Sequence, residues 1–205
     1  MGTKFSTRVW VSVVGIASIF WGSKGYADTV ISVADFGLKP DTRENAVAYV
    51  QKAIEACRGK EPVTLVFPEG RYDFWPQYAH EKNYYETNTY DVFPKRLAML
   101  FEGLHNITVD GNGSQFIMHD RIQPITVENC DGVTLKNFSI DWDIPLTAQA
   151  RVTKVGSDFF EIEINVLESP YIIEDGKLVF VGEGWKSALG SMIEFESDTH
   201  FVVPG

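Results

Sequence analysis

The sequence predicts an all-β fold: a right-handed parallel β-helix with an N-terminal capping helix and a small inserted antiparallel β-barrel. Three observations lead there. Short apolar strands follow one another from Leu97 to Trp142 with almost no room for helices. The segment from Asn106 to Gly111 echoes in Gly132 to Asn137, which sets Ile107 against Val133 at the kind of fixed offset that marks stacked repeats. After Pro145 the text changes to alternating hairpins.

The first residues read as a secretory signal. Lys4 and Arg8 precede an apolar run from Val9 to Trp21, and the small-residue frame Gly25-Tyr26-Ala27 places cleavage after Ala27. An uncleaved anchor is the competing reading, but the run is shorter than the roughly 20 apolar residues that cross a bilayer. No later segment could span a membrane, so the mature chain is expected to be exported to the periplasm, the cell surface or the medium. The chain carries a formal charge of −10, and loss of Lys4, Arg8 and Lys24 with the leader makes it more acidic still. An acidic surface disfavours nucleic acid and anionic membranes as partners. It also weighs, less strongly, against polyanionic substrates such as pectin. Cys57 and Cys130 each sit in an apolar pattern, which fits two buried thiols, although an exported protein can also bridge them.

From Val30 to Tyr72 the pattern is strand, turn, helix, strand, turn. Ile31, Val33 and Phe36 lead to Gly37, and Asp41 or Thr42 is placed to cap a helix over Glu44 to Cys57. Ala46, Val47, Val50, Ile54 and Cys57 form its apolar stripe. Val63 to Phe67 is a strand ended by the turn Pro68-Glu69-Gly70. A lone amphipathic helix ahead of many strands suits the open end of a strand stack, whose edges need cover. Asp73 to Lys95 lacks periodicity, and Trp75, Tyr78, His80, Tyr84, Tyr85, Tyr90 and Phe93 alternate with polar residues there. It reads as a long surface loop, whose rings either meet sugar or pin the loop to the body of the domain.

The strands that follow are Ala98 to Phe101, Ile107 to Val109, Phe116 to Met118, Ile125 to Val127, Val133 to Leu135 and Phe138 to Ile140. An antiparallel sandwich would also space short strands this way, but the echo and the scarcity of two-residue hairpin turns oppose it. Beyond Pro145, Ala148 to Val155 pairs with Phe159 to Val166 across Gly156-Ser157-Asp158, and Ile172 to Val181 folds about Glu174-Asp175-Gly176. Met192 to Val203 offers one more strand pair. The organisation is thus 1–27 signal, 28–145 cap and first coils, and 146–205 an antiparallel barrel or sandwich, inserted or following. Fewer than three clear coils cannot bury a continuous core, so a fragment of a longer gene product is expected.

Val33-Ala34-Asp35-Phe36-Gly37, Val50 to Cys57 and Leu65 to Tyr72 resemble the N-terminal cap of pectate-lyase-like β-helix proteins, polygalacturonases included. More specific are Phe93-Pro94-Lys95-Arg96 with Phe116 to Arg121, and Asn137 to Gln149 with the core Asp141-Trp142-Asp143-Ile144-Pro145. These stretches are similar to the α-1,3-galactosidases of glycoside hydrolase family 110. The resemblance implies a barrel inserted in a β-helix. It also implies an inverting, metal-independent exo-glycosidase acting on galactose-terminated glycans, with no cofactor and with catalytic carboxylates on coils beyond Gly205. The alternatives are a polygalacturonase or pectate-lyase-like enzyme, or a non-catalytic glycan-binding β-helix.

Two groups of residues are candidates for substrate contact. Asp141 and Asp143, two apart on a strand, would share one face with Trp142 on the other, as hydrogen-bonding groups for sugar hydroxyls or as turn chemistry. His119, Asp120 and Arg121 end another strand, where a histidine is commonly a satisfied structural partner, and no further ligand at zinc spacing accompanies it. Lys95 and Arg96 are placed to pair with carboxylates of the long loop or to stay solvated. The chain has no phosphate-binding glycine loop, no Gly-x-Ser-x-Gly elbow and no acidic calcium loop.

Overall fold

The computed structural model describes residues 29–84, 94–190 and 192–203. The expected signal peptide and the loop aromatics Tyr85, Tyr90 and Phe93 lie outside the described residues. What is described consists mostly of strands, with little helix. In chain order the elements are β1 (Thr29–Ser32), a 3-10 turn (Val33–Phe36), α1 (Val47–Ala56), β2 (Val63–Val66), β3 (Arg71–Phe74), β4 (His80–Lys82) and β5 (Lys95–Glu102). They continue as β6 (His105–Met118), β7 (Gln123–Glu128), β8 (Asp131–Trp142), β9 (Arg151–Val155), β10 (Phe160–Glu163), β11 (Tyr171–Glu174), β12 (Lys177–Gly182) and β13 (Trp185–Ala188).

The first half of the chain is parallel. β1 pairs with β2, β2 with the first half of β6, and β3 with its second half, all in parallel. On its other edge β6 pairs in parallel with β8, so Val63, Ile107 and Val133 stand in one row, as do Leu65, Val109 and Leu135. β5 and β7 form a separate parallel pair that sets Met99 beside Ile125 and Phe101 beside Val127. The echo between Ile107 and Val133 is therefore a real lateral neighbourhood of parallel strands.

Alternate residues of these strands point inward, as the pleat requires. Leu65, Phe74, Phe101, Ile107, Phe116 and Met118 are wholly buried, and Phe67, Tyr72 and Val109 nearly so. Phe116 is the hub: its ring lies 4.7 Å from Phe67, 5.7 Å from Phe74, 6.2 Å from Tyr72 and 4.7 Å from Phe138. On β8 the corresponding positions are less covered. Leu135 and Ile140 are 40% and 38% exposed while their row partners Val109 and Phe116 are buried, because among the described residues β8 has a neighbour on one edge only.

Helix α1 buries Val47, Val50 and Ile54 of the stripe read from the sequence, and Ala53 with them, against the 3-10 turn and β5. Its start differs from expectation. Asp41 and Arg43 both adopt left-handed backbone (φ 61° and 60°), which keeps that stretch out of the helix. Asp41 instead accepts a hydrogen bond from the Arg71 backbone at 2.9 Å, and the Thr42 hydroxyl accepts one from Glu44. The first helical N–H, at Val47, is satisfied by the Asn45 side chain at 3.1 Å. Cys57 and Cys130 are both free thiols. The Cys57 thiol donates to the Ala53 carbonyl, and burial pushes it up to about 11.

Two further expectations are corrected. The stretch from Asp73 to Lys95 is not all loop, because β4 within it pairs antiparallel with β5, setting His80 opposite Leu97. The second half holds β9 with β10 and β11 with β12 and β13, all antiparallel, but the strands are shorter than the alternating pattern indicated. Met192 to Val203 supplies only a bridge between Phe195 and Val202, where the chain turns tightly through Thr199 and left-handed His200.

Phe116→Ala is expected to lower unfolding stability by about 3–5 kcal/mol. Urea denaturation checks this, and a smaller loss would mean that the ring is not the hub of the core.

Candidate functional site

One end of the parallel rows gathers the charged residues. Phe74, Met118 and Trp142 share a row, so the residues that follow them, Trp75, His119 and Asp143, succeed one another as the chain leaves three strands. The ladder continues one step further: His119 donates its backbone N–H to the Phe74 carbonyl at 2.9 Å, and Asp143 donates to Met118 at 3.1 Å. His119 is only 2% exposed, and its ring stacks on Trp75 with centroids 3.8 Å apart and planes 9° apart.

Both imidazole nitrogens face carboxylates. Nε2 lies 2.9 Å from Asp73 Oδ1, and Nδ1 lies 2.8 Å from Glu183 Oε2. Ionised carboxylates only accept, so this geometry needs a proton on each ring nitrogen or one on a carboxyl. Arg71 completes the network, donating to Asp73 at 2.5 Å and to Asp143 at 2.7 Å. Burial alone would push the Asp73 carboxyl up. Hydrogen bonds from Arg71 and His119 outweigh it and hold that carboxyl below the usual range. The same carboxylates, Asp73 first, raise the Arg71 guanidinium further.

Glu183 reaches the cluster from the turn between β12 and β13. There Gly184 has φ +73°, and a Cβ on it would collide with the Asp120 carboxylate. Glu183 also accepts from the Asp120 backbone N–H at 3.3 Å. The antiparallel part of the chain is thus tied to the parallel part through His119 and Asp120. Arg121 is exposed, its guanidinium 5.8 Å from the centre of the Trp185 ring. His119, Asp143 and Glu183 bring ligand atoms within 4.8 Å of one another, so donors that sequence spacing does not reveal do meet here. A metal ion would have to displace the hydrogen bonds already made to His119 and would sit beside Arg71.

The structure separates Asp141 from Asp143. Asp143 turns to Arg71, while the exposed Asp141 carboxylate accepts from the neighbouring Trp142 N–H at 2.8 Å. The shared face expected of the pair fails because β8 ends at Trp142. Trp142 is half-buried, its indole N–H donating to the Asp120 carbonyl at 3.2 Å. With Asp141, Pro145, Leu146 and Thr147 it lines an open groove of about 320 Å³. Arg96 does approach a carboxylate of the segment before it, Glu81, at 3.5 Å. Arg71, Asp73 and Glu183 were not visible as site residues in the sequence. The alternation of Arg71 and Asp73 on a strand was a usable signal, but nothing local connects Glu183 to His119 across 64 positions.

Residues 148–205 match the family described as GLAA-B beta-barrel domain I. Across 178 residues, 87% of this chain, the sequence is 61% identical to a Bacteroides thetaiotaomicron protein named alpha-1,3-galactosidase B. The chain is a homologue of the alpha-1,3-galactosidases. It is also 35% identical over 169 residues to alpha-1,3-galactosidase A of Shewanella woodyi, and 36% identical over 199 residues to alpha-1,3-galactosidase B of Phocaeicola vulgatus. Those matches cover 82% and 95% of this chain. The chain spans just under a third of the length of these galactosidase relatives, 29%, 28% and 31% respectively. In this galactosidase homologue the His119 cluster spans both the parallel strands and the segment that matches the barrel family.

A carboxyl with a lower pKa in the folded than in the unfolded chain stabilises the fold above its unfolded value, near 4. That contribution is lost as pH falls through the lower, folded value. Asp73→Asn is therefore expected to cost about 3 kcal/mol at pH 7 and to flatten the decline in urea midpoint below about pH 4. An unchanged acid profile would show that Asp73 does not hold the cluster.

Proposed function

We propose that the whole protein is an exo-acting glycoside hydrolase that removes terminal α-1,3-linked galactose from glycans with inversion at the anomeric carbon. The observation that carries this reading is the 61% identity over 178 residues to a protein named alpha-1,3-galactosidase B. Inversion requires a carboxylic acid at the glycosidic oxygen and a carboxylate holding water on the other face, roughly 6.5–9.5 Å apart. In this reading both carboxylates lie outside these 205 residues, and this chain supplies the frame. Its parallel rows are the first coils of a right-handed β-helix capped by α1, and residues from 146 onward are a small β-barrel inserted into it. The product is exported after cleavage at Ala27. Among the described residues no helix is long and apolar enough to cross a membrane.

The contribution of this chain to substrate is the groove at Trp142. A half-buried indole offers a face to the apolar side of a hexose, and the Asp141 carboxylate keeps one oxygen for a hydroxyl. Asp143, His119 and Asp120 act behind it, as positioning residues: the Asp120 carbonyl fixes the indole of Trp142, and Asp143 anchors the end of its strand on Arg71. Arg121 stays outside the groove.

Incubating the full-length product with α-1,3-galactobiose is expected to release β-galactose first, seen by proton NMR of the anomeric signals. Absence of galactose, or α-galactose as first product, overturns the assignment. Trp142→Ala is expected to lower kcat/KM by about five- to ten-fold, and an unchanged value would remove the groove from the substrate path. The 205-residue chain alone is expected to show no turnover, and N-terminal sequencing of the exported protein is expected to begin at Asp28.

A further inference from the structure

A second groove lies between the start of α1 and the turn that carries Tyr78. It is about 440 Å³ and is lined by Glu44, Asn45, Ala48, Tyr49, Lys52 and Tyr78, which is within the roughly 300–1,000 Å³ of small-ligand sites. One wall is Tyr78, which is 74% exposed and whose backbone is left-handed at φ 70°. A bulky residue adopts that conformation only where its surroundings hold it there. Here two amides do so. Asn45 Nδ2 donates to the carbonyls of Trp75 at 3.4 Å and Gln77 at 2.9 Å, and Gln51 Nε2 donates to Tyr78 at 2.7 Å. The same Asn45 starts helix α1, so the turn that presents Tyr78 is fixed to the helix that carries Tyr49 and Lys52.

The chemistry of the walls narrows the occupant. Tyr49 packs partly against the core, and Tyr78 stands in solvent. Among the described residues neither phenol has a hydrogen-bond partner, and neither Glu44 nor Lys52 has an ion-pair partner. Two ring faces with free hydroxyls suit a ligand that is apolar on its flat side and hydroxylated at its edge. One carboxylate and one ammonium at the rim balance each other, which favours a neutral ligand over an anion. We propose that this groove is an accessory binding site for a neutral galactose-bearing glycan, separate from the groove at Trp142. The choice of galactose rests on the function proposed above, whereas the polyhydroxylated, uncharged character of the ligand rests on the groove itself.

The test uses the full-length protein with ring-labelled tyrosine, titrated with methyl β-galactopyranoside, a galactose-bearing ligand that an α-galactosidase leaves intact. Ring signals of Tyr49 and Tyr78 are expected to move and to saturate in the millimolar range. Tyr78→Ala is expected to weaken binding by about five-fold or more, while Tyr78→Phe keeps most of it and Trp142→Ala leaves the Tyr49 response in place. Circular dichroism of Tyr78→Ala confirms its fold, and the labelled wild type needs no substitution at all. Tyrosine signals that stay still up to saturating sugar, or a Tyr78→Ala chain that binds equally well, overturn the proposal. If the full-length enzyme cleaves galactobiose while these rings stay still, only the accessory site fails. If the rings respond but no galactose is released, the site stands and the hydrolase reading fails.

Discussion

Strand β6 hydrogen-bonds along both edges, to β2 and β3 on one side and to β8 on the other, and the sheet that carries the charged cluster hangs on that sharing. A strand paired on both edges has no free backbone donors or acceptors, so its inward residues can be wholly apolar at no cost in unsatisfied polar groups. Ile107, Val109, Phe116 and Met118 use this freedom, and the aromatic cluster of Phe67, Tyr72, Phe74 and Phe138 closes around Phe116.

The corner in the middle of β6 has consequences at the far end. Between Asp110 and Ser114 the register against β8 shifts, because three residues turn the corner on β6 where Asn137 alone turns it on β8. Gly111 is needed there, since a Cβ would meet Phe138 and the Asn137 carbonyl. Asn137, in left-handed backbone, donates its side-chain amide to Asp110 at 3.0 Å and so fastens the two corners together. The shift also decides which residues of β8 lie beside the end of β6. It places Trp142 next to Met118 and Asp143 next to His119, within reach of Arg71.

The charged cluster then joins two kinds of β-structure. A buried imidazole between Asp73 and Glu183 is costly to leave half-satisfied, which makes the position of the turn after β12 depend on the end of β6. Gly184 lets that turn approach Asp120 closely enough for Glu183 to reach. The same corner, through the Asp120 carbonyl, orients the indole of Trp142. Electrostatic pairing and the shape of the aromatic groove are therefore two results of one local geometry.

Much of this was legible in the residues. The echo of Asn106 to Gly111 in Gly132 to Asn137 announced the β6 and β8 pairing, because parallel neighbours in register repeat their inward pattern. The stripe from Ala46 to Cys57 announced the helix, and Gly156-Ser157-Asp158 and Glu174-Asp175-Gly176 announced hairpins. His119, Asp120, Trp142 and Asp143 were singled out, and the fold gathers all four near one strand end. Chain direction and alternation determine such things, since they act between residues close in sequence or repeated at a fixed offset. Only the tertiary structure decided that Asp141 and Asp143 part company, that Arg71 and Asp73 hold His119, and that Glu183 arrives from a distant hairpin. Those outcomes depend on where a strand stops and on contacts between charged side chains far apart in the chain, and no local pattern of polarity encodes either.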